Sequence, residues 1–340
     1  KPKQFQPILN GKSTFQYGVE TFLKQYSPED LFVSTKRRFI KYVSEQAPQI
    51  PLKNYIVEPD IAKDRGPGEG LAFLTLSLRH PDEPFFVYQS DMVREPEESF
   101  LKMVADAEFF QKKHRKFMTG GIKATQPNMG ADYLELGLQI STEDNQEIYE
   151  INNFHFRKGS IKETKELVEN FHVVAHWNHT CWYPELMLEA YKKYRPDWYG
   201  KLMEIKEVIG KPGEDEAIKA IYETMEKGAT EEVTRNVMDS GDAVAFLLPF
   251  RVTDFGTWES VYEYFSEDGV SNYYDGELAS FDSRGSIVKT SKKKLVALSC
   301  VDDLVVVDTD DVLLIVPRNR LDSIKDLQAI IEKGGFADSL

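Results

Sequence analysis

Three histidines and a thiol, His172, His176, His179 and Cys181, fall within ten residues, a density that could supply transition-metal ligands. On a helix, residues 172, 176 and 179 would share one face. On a strand, His176 and His179 point to opposite faces, and a satisfied histidine at a pocket rim is the commoner outcome. Asp91 follows the apolar run Phe85-Phe86-Val87-Tyr88 through Gln89-Ser90. That is the carboxyl end of a strand, where α/β sheets hold their ligands. Gly11-Lys12-Ser13 has Gln6 where a Walker loop needs its first glycine, so it is no phosphate loop, and Ser13 reads as a helix cap.

The chain that positions these groups has 340 residues and is 41% hydrophobic, enough for a large core and two domains. A formal charge of −14 argues against general nucleic-acid or anionic-membrane binding, which needs concentrated Lys and Arg. Anionic ligands would need a local basic pocket or Mg²⁺. With two cysteines, Cys181 and Cys300, a disulfide framework is not expected and a reducing cytoplasm is the default. No apolar run reaches the ~20 residues that span a bilayer.

Apolar runs of strand length, Leu31–Val33, Tyr55–Val57 and Phe85–Tyr88, alternate with helix-like segments at 38–46 and 97–112. The glycine-rich Asp64–Gly70 leads into the apolar segment 71–78. This alternation predicts an α/β domain with a mixed, mostly parallel sheet. From about Ser266, short β-runs separated by Gly, Asp, Ser and Lys turns predict a small β-domain or β-solenoid, with no repeat of 20–50 residues evident. A final helix capped at Asp322-Ser323, with Ile324, Leu327, Ile330 and Ile331 on one face, should stop at Gly334-Gly335. The division is expected at residues 1–267 and 268–340.

Several motifs then line up in order. Pro2-Lys3-Gln4-Phe5, Arg38-Phe39, Glu45-Gln46, Glu58-Pro59, Gly121–Pro127, Trp177-Asn178, Asp254-Phe255-Gly256-Thr257-Trp258 and the acidic β-segment Asp302–Pro317 together resemble the mannose-1-phosphate guanylyltransferase family of sugar-phosphate nucleotidyltransferases. The family's glycine-rich loop, whose backbone N–H groups meet triphosphate oxygens, lies upstream of the P-K-Q-F motif and so is expected before residue 1.

The resemblance implies a Rossmann-like nucleotidyltransferase domain followed by a short left-handed β-helix with a terminal helix. It implies nucleotidyl transfer from GTP to mannose-1-phosphate, giving GDP-mannose and pyrophosphate. Asp91 and Asp254 would hold Mg²⁺, and Lys3 and Arg157 would be the catalytic cations. Glu58, Gly66, Pro67 and Ser90 would contact the nucleotide; Gly130 and Asn178 would contact the sugar phosphate. A cytoplasmic homodimer is also implied. Some positions depart from the family: Phe156 stands for its Glu, Asp132 for a glycine, Thr234 for an Asp, and His179-Thr180 for Ser-Gly. Each lost sugar contact is worth about 1–3 kcal/mol, with Arg65, Arg157, Arg235 and His179 as compensators, although Arg65 fits a surface cation better. Two alternatives therefore stand beside the main reading: a nucleotidyltransferase for another sugar phosphate or nucleotide, and a non-catalytic regulatory paralogue.

Overall fold

The computed structural model describes residues 2–140, 146–266, 268–290 and 294–334. Gly335, half of the expected helix stop, lies outside them. In chain order the elements begin α1 (Thr14–Phe22), β1 (Val33–Lys36), α2 (Ile40–Gln46), β2 (Tyr55–Glu58), α3 (Arg65–Arg79), β3 (Phe85–Phe86), β4 (Met92–Glu95) and α4 (Glu97–His114). Next come β5 (Phe117–Lys123), β6 (Tyr133–Ile140), β7 (Ile148–His155), α5 (Ile161–Asn170), β8 (Val173–Trp182), α6 (Pro184–Tyr194), α7 (Pro196–Lys206), α8 (Glu214–Thr224) and α9 (Glu231–Asp239). Then follow β9 (Ala243–Leu247), β10 (Arg251–Asp254), α10 (Trp258–Phe265), β11 (Tyr273–Asp275), β12 (Glu277–Phe281), β13 (Ile287–Thr290), β14 (Leu295–Ser299), β15 (Leu304–Asp308), β16 (Leu313–Pro317) and α11 (Ile324–Lys333).

Contacts divide the chain into two compact units: Lys1–Gly18, Ser90–Val93 and Val252–Leu340 in one, Val19–Gln89 and Arg94–Arg251 in the other. This differs from a single cut at 267/268. The reason is a small core in which Ile8, Leu9, Val93, Phe255 and Val261 bury together, so the N-terminal residues and 252–267 group with the β-rich region. A linear change of texture cannot register a discontinuous core.

In the larger unit a six-stranded sheet runs β3-β8-β5-β9-β7-β6. The α/β class and the mixed sheet hold. Within this sheet, however, the parallel share is one pairing, β5 with β9; β8 runs antiparallel to β3, β5 and β6, and β7 antiparallel to β6 and β9. Here β6 and β7 are consecutive reversing strands, while the other antiparallel pairs join strands separated by helices, and an apolar-run count cannot tell which direction a strand takes on its return. All five residues of β9 are buried, as a strand covered on both faces requires. Helices α3, α6, α7, α8 and α9 bury Leu71, Leu74, Tyr191, Trp198, Tyr222 and Val237 against Phe117, Leu134, Val174 and Ala245 of the sheet.

The glycine-rich stretch is helical: α3 begins at Arg65 and carries Gly66, Gly68 and Gly70 in its first turns. Glycine disfavours helix, so close packing decides. A Cβ on Gly66 would stand 2.2 Å from the Trp198 ring, and one on Gly68 would stand 2.9 Å from the Glu58 carboxyl carbon. The first strand also starts later than expected, at Val33, because its register is set by parallel pairing with Tyr55–Glu58.

In the smaller unit, β11, β13 and β15 stack in parallel, as do β12 and β14. Side-chain bonds repeat with a step of 18 residues: Asp302 accepts from the Arg284 N–H, Ser283 from that of Val301, Ser286 from that of Leu304, and Thr290 donates to Asp308. These are solenoid coils, and their step falls just under the 20–50-residue window of a repeat search. Ile287, Val305 and Val316 bury on one side, and Val288, Leu298 and Val306 form a second cluster. Strand β16 pairs antiparallel with β15 and closes the stack. Ser323 stands at the N-cap of α11 as expected, but its hydroxyl bonds the Arg320 carbonyl. No helix among the described residues is long and apolar enough to cross a membrane.

Candidate active site

Within the smaller unit three predicted residues converge. Lys3 Nζ lies 2.8 Å from Asp91 Oδ2 and 3.8 Å from Asp254 Oδ1. Lys3 opens a short 3-10 turn, Lys3–Phe5, fixed by the buried Phe5 against Phe15 at 5.3 Å and by the Lys289 ammonium on the Pro7 carbonyl. The helix that follows is capped by Ser13, as expected: its Oγ accepts from Gln16 N–H and its N–H donates to Gln16 Oε1, both at 3.1 Å. Asp254 ends β10, and the Phe255 N–H donates to the Asp91 carbonyl at 3.1 Å, tying the two acidic residues' backbones together. Next in sequence, Thr257 caps α10 through a reciprocal bond with Ser260.

Burial pushes the Asp254 carboxyl above its usual range and the nearby Asp91 charge adds to that, while Lys3 and the Gly256 N–H oppose it. Two close carboxylates that repel each other are relieved by a cation. Among the described residues no three His, Cys, Asp or Glu side chains are grouped to hold a metal. A pair of carboxylates open to further oxygen ligands suits Mg²⁺, which keeps water and phosphate oxygens in its octahedron. Ser90 precedes Asp91 in the same segment.

The larger unit holds the other predicted residues. Glu58 and the start of α3, with Gly66 and Pro67, come together: Gly68 faces the Glu58 carboxylate, which also accepts from Tyr222 Oη at 3.2 Å. Gly66 donates its N–H to the Gly228 carbonyl, accepts from Tyr191 Oη and packs on Trp198, so its lack of a side chain is explained by packing. Asn178 Nδ2 donates to Glu231 Oε1 at 3.1 Å, and Arg65 Nη1 lies 3.3 Å from the same oxygen. Glu231, absent from the sequence reading, thus joins the expected sugar-side and nucleotide-side positions; a paired Glu231-Glu232 at a helix start was its only sequence signal.

Arg157 pairs with Asp132: its N–H donates to Asp132 Oδ1 at 2.8 Å and its guanidinium lies 3.6 Å away. Asp132 stands where the family has glycine, so two departures meet in one contact. Gly130 occupies the same turn, with its N–H on Asn128 Oδ1. Phe156 is exposed at 56%. Of the other compensators, Arg65 is paired with Glu69 and Glu231, and Arg235 is exposed.

The histidine cluster separates in strand β8. His176 Nε2 bonds Thr119 Oγ1 at 2.8 Å, while the fully buried His179 accepts from Arg94 Nε at 2.8 Å beside the rings of Phe86, Phe100 and Phe250. Burial holds His176 down at about 4 and His179 well below its usual value. His172 lies at the strand's start against Tyr149, and Cys181 is a buried free thiol. The ring nitrogens of His176 and His179 serve the fold, each histidine with its own partner.

Comparison with known proteins points to the same family as the motifs. Residues 276–329 match the family described as MannoseP isomerase/GMP-like beta-helix domain. The chain is 25% identical over 342 residues to a mannose-1-phosphate guanylyltransferase of Escherichia coli, covering 98% of this chain and 72% of that protein. It is 25% identical to the alginate biosynthesis protein AlgA of Pseudomonas syringae pv. tomato, covering 99% and 69%. A crystal structure described as mannose-1-phosphate geranyltransferase from Thermus thermophilus superposes with a TM-score of 0.82 at 20% identity, covering 97% of this chain and 92% of that one. The fold is therefore shared along nearly the whole chain.

Proposed function

We propose, from the premise that this chain is a sugar-phosphate nucleotidyltransferase related to the mannose-1-phosphate guanylyltransferases, that it makes GDP-mannose and pyrophosphate from GTP and mannose-1-phosphate. The observation that carries this reading is the convergence of Asp91, Asp254 and Lys3, three residues far apart in sequence, with Lys3 and Asp254 inside family motifs and Asp91 after an apolar run.

In this reading the sugar-phosphate oxygen attacks the α-phosphate in line and pyrophosphate leaves. Asp91 and Asp254 would hold Mg²⁺, which when bound offsets the charge that crowds around the phosphorus. Lys3 adds a cation beside the same carboxylates, and Arg157 supplies the cation expected at the sugar-phosphate side. Ser90, Glu58, Gly66 and Pro67 would line the nucleotide, and Gly130 and Asn178 the sugar phosphate. A cytoplasmic setting fits two free cysteines. A homodimer belongs to the same reading, with exposed Leu313 and Ile315 of β16 as available apolar surface; sedimentation velocity with Ile315→Arg decides it.

A second reading is favoured by one contact. Arg157 is engaged by Asp132, so the polar groups presented to a sugar differ from the family's, and another sugar phosphate or nucleotide would suit them. Sugar-1-phosphates crossed with four nucleoside triphosphates and Mg²⁺, assayed for pyrophosphate release by full-length protein, separate the two. Release with mannose-1-phosphate and GTP alone supports the first; release with another pair supports the second; no release from any pair overturns both and leaves a non-catalytic paralogue. Asp91→Asn and Asp254→Asn should each lower release by about 100-fold or more.

A further inference from the structure

The segment that carries Asp91 is short. Ser90–Val93 groups with the smaller unit, while its flanking residues, Gln89 and Arg94, belong to the larger one. Arg94 is 1% exposed, one of the largest fully buried side chains in the molecule. Its Nη1 donates to the Gln89 carbonyl at 3.3 Å and its Nη2 to Gln89 Oε1 at 3.2 Å, and its Nε donates to His179 Nε2. Gln89 in turn donates from Nε2 to the Asn178 carbonyl of β8. The guanidinium lies 4.1 Å from the Tyr88 ring centroid and 5.3 Å from that of Phe100. The Arg94 side chain therefore bridges the two ends of the segment, and each end is bonded to β8, Arg94 through His179 and Gln89 through Asn178.

We propose that Arg94 is a positioning residue: its guanidinium, held by His179, clamps the neck of the segment Ser90–Val93 and fixes the backbone that presents Asp91. This rests on the reading of Asp91 as a metal ligand. An apolar side chain of similar volume would fill the space without burying a charge, so packing alone gives no reason for an arginine. What the guanidinium adds is direction, through a rigid fork that meets a carbonyl and an amide of one residue while its Nε meets an imidazole. Lysine keeps the charge but cannot make these bonds together. His179 serves as the acceptor only when neutral, which its apolar surroundings favour.

The test uses full-length protein, Arg94→Lys and the double variant Arg94→Leu/His179→Leu, which replaces the pair by apolar groups. Hydrogen exchange is read at Ser90–Val93 and, as an internal reference, at β5 and β9. Mn²⁺ affinity is read by electron paramagnetic resonance without substrates. Both variants should speed exchange at Ser90–Val93 by about 10-fold with β5 and β9 unchanged, and weaken Mn²⁺ binding by about 10–100-fold, as for other groups that orient a metal ligand. Exchange at Ser90–Val93 that stays within about twofold of wild type, or that rises in step with β5 and β9, overturns the clamp. Faster local exchange in a protein whose Mn²⁺ affinity is unchanged by Asp91→Asn overturns the metal-ligand reading while upholding the clamp.

Discussion

At Asp254 the charges of Asp91 and Lys3 act in opposite directions. Asp254 sits above the usual carboxylate range because it is partly buried and faces Asp91, and Lys3 pulls it back. Removing the ammonium with Lys3→Ala leaves burial and repulsion unopposed. The acid limb of the kcat/KM profile should then move to higher pH, along with a drop in rate. A limb that stays in place would mean that Asp254 is not the titrating group. His176 gives a stability effect of defined sign. Its folded value, about 4, lies below the ordinary 6.5, so its contribution is complete above about 6.5 and is lost as pH falls toward 4. Urea unfolding at pH 7 and pH 5 should show a pH-dependent loss about 2 kcal/mol smaller in His176→Asn than in wild type. An equal loss in both would remove His176 from the acid response.

At the scale of elements, α3 shows how packing overrides propensity. Its glycine-rich start is a poor helix former by composition, and tertiary contacts make it a helix start pressed against Trp198, Glu58 and Tyr191. Gly66→Ala should therefore destabilise despite raising helix propensity, by about 1–3 kcal/mol from overpacking, measured as a lower urea midpoint. No change would mean that Trp198 yields easily. Strand β8 carries the opposite lesson. If it is a strand, His176 and His179 part to opposite faces, and that much was legible; which ring met Thr119 and which met Arg94 depended on what packed on each face. The solenoid was visible as short β-runs, yet its step of 18 residues emerged only from paired coils.

Over the whole molecule, the formal charge of −14 sets a long-range field that opposes anionic substrates. If this field dominates encounter, raising ionic strength from about 10 mM to about 150 mM shortens the Debye length and should increase kcat/KM for the nucleotide. A fall would show that individual cations attract the nucleotide locally instead. The same scale limits what similarity implies. The fold extends along nearly the whole chain, while the Asp132–Arg157 contact departs from the family at the position expected to meet the sugar.

The sequence by itself determined the α/β class, the solenoid-like C-terminal region, the family motifs in order and the three residues that meet at Lys3. These are carried by local patterning and by short motifs, which survive as linear strings. Only the tertiary structure decided that a glycine-rich run is helical, that the central sheet is largely antiparallel, and that the smaller unit is discontinuous. It alone disclosed Glu231, Gln89 and Arg94. Their roles depend on acceptors contributed by distant segments, and a buried arginine is indistinguishable in sequence from an exposed one until its partners arrive.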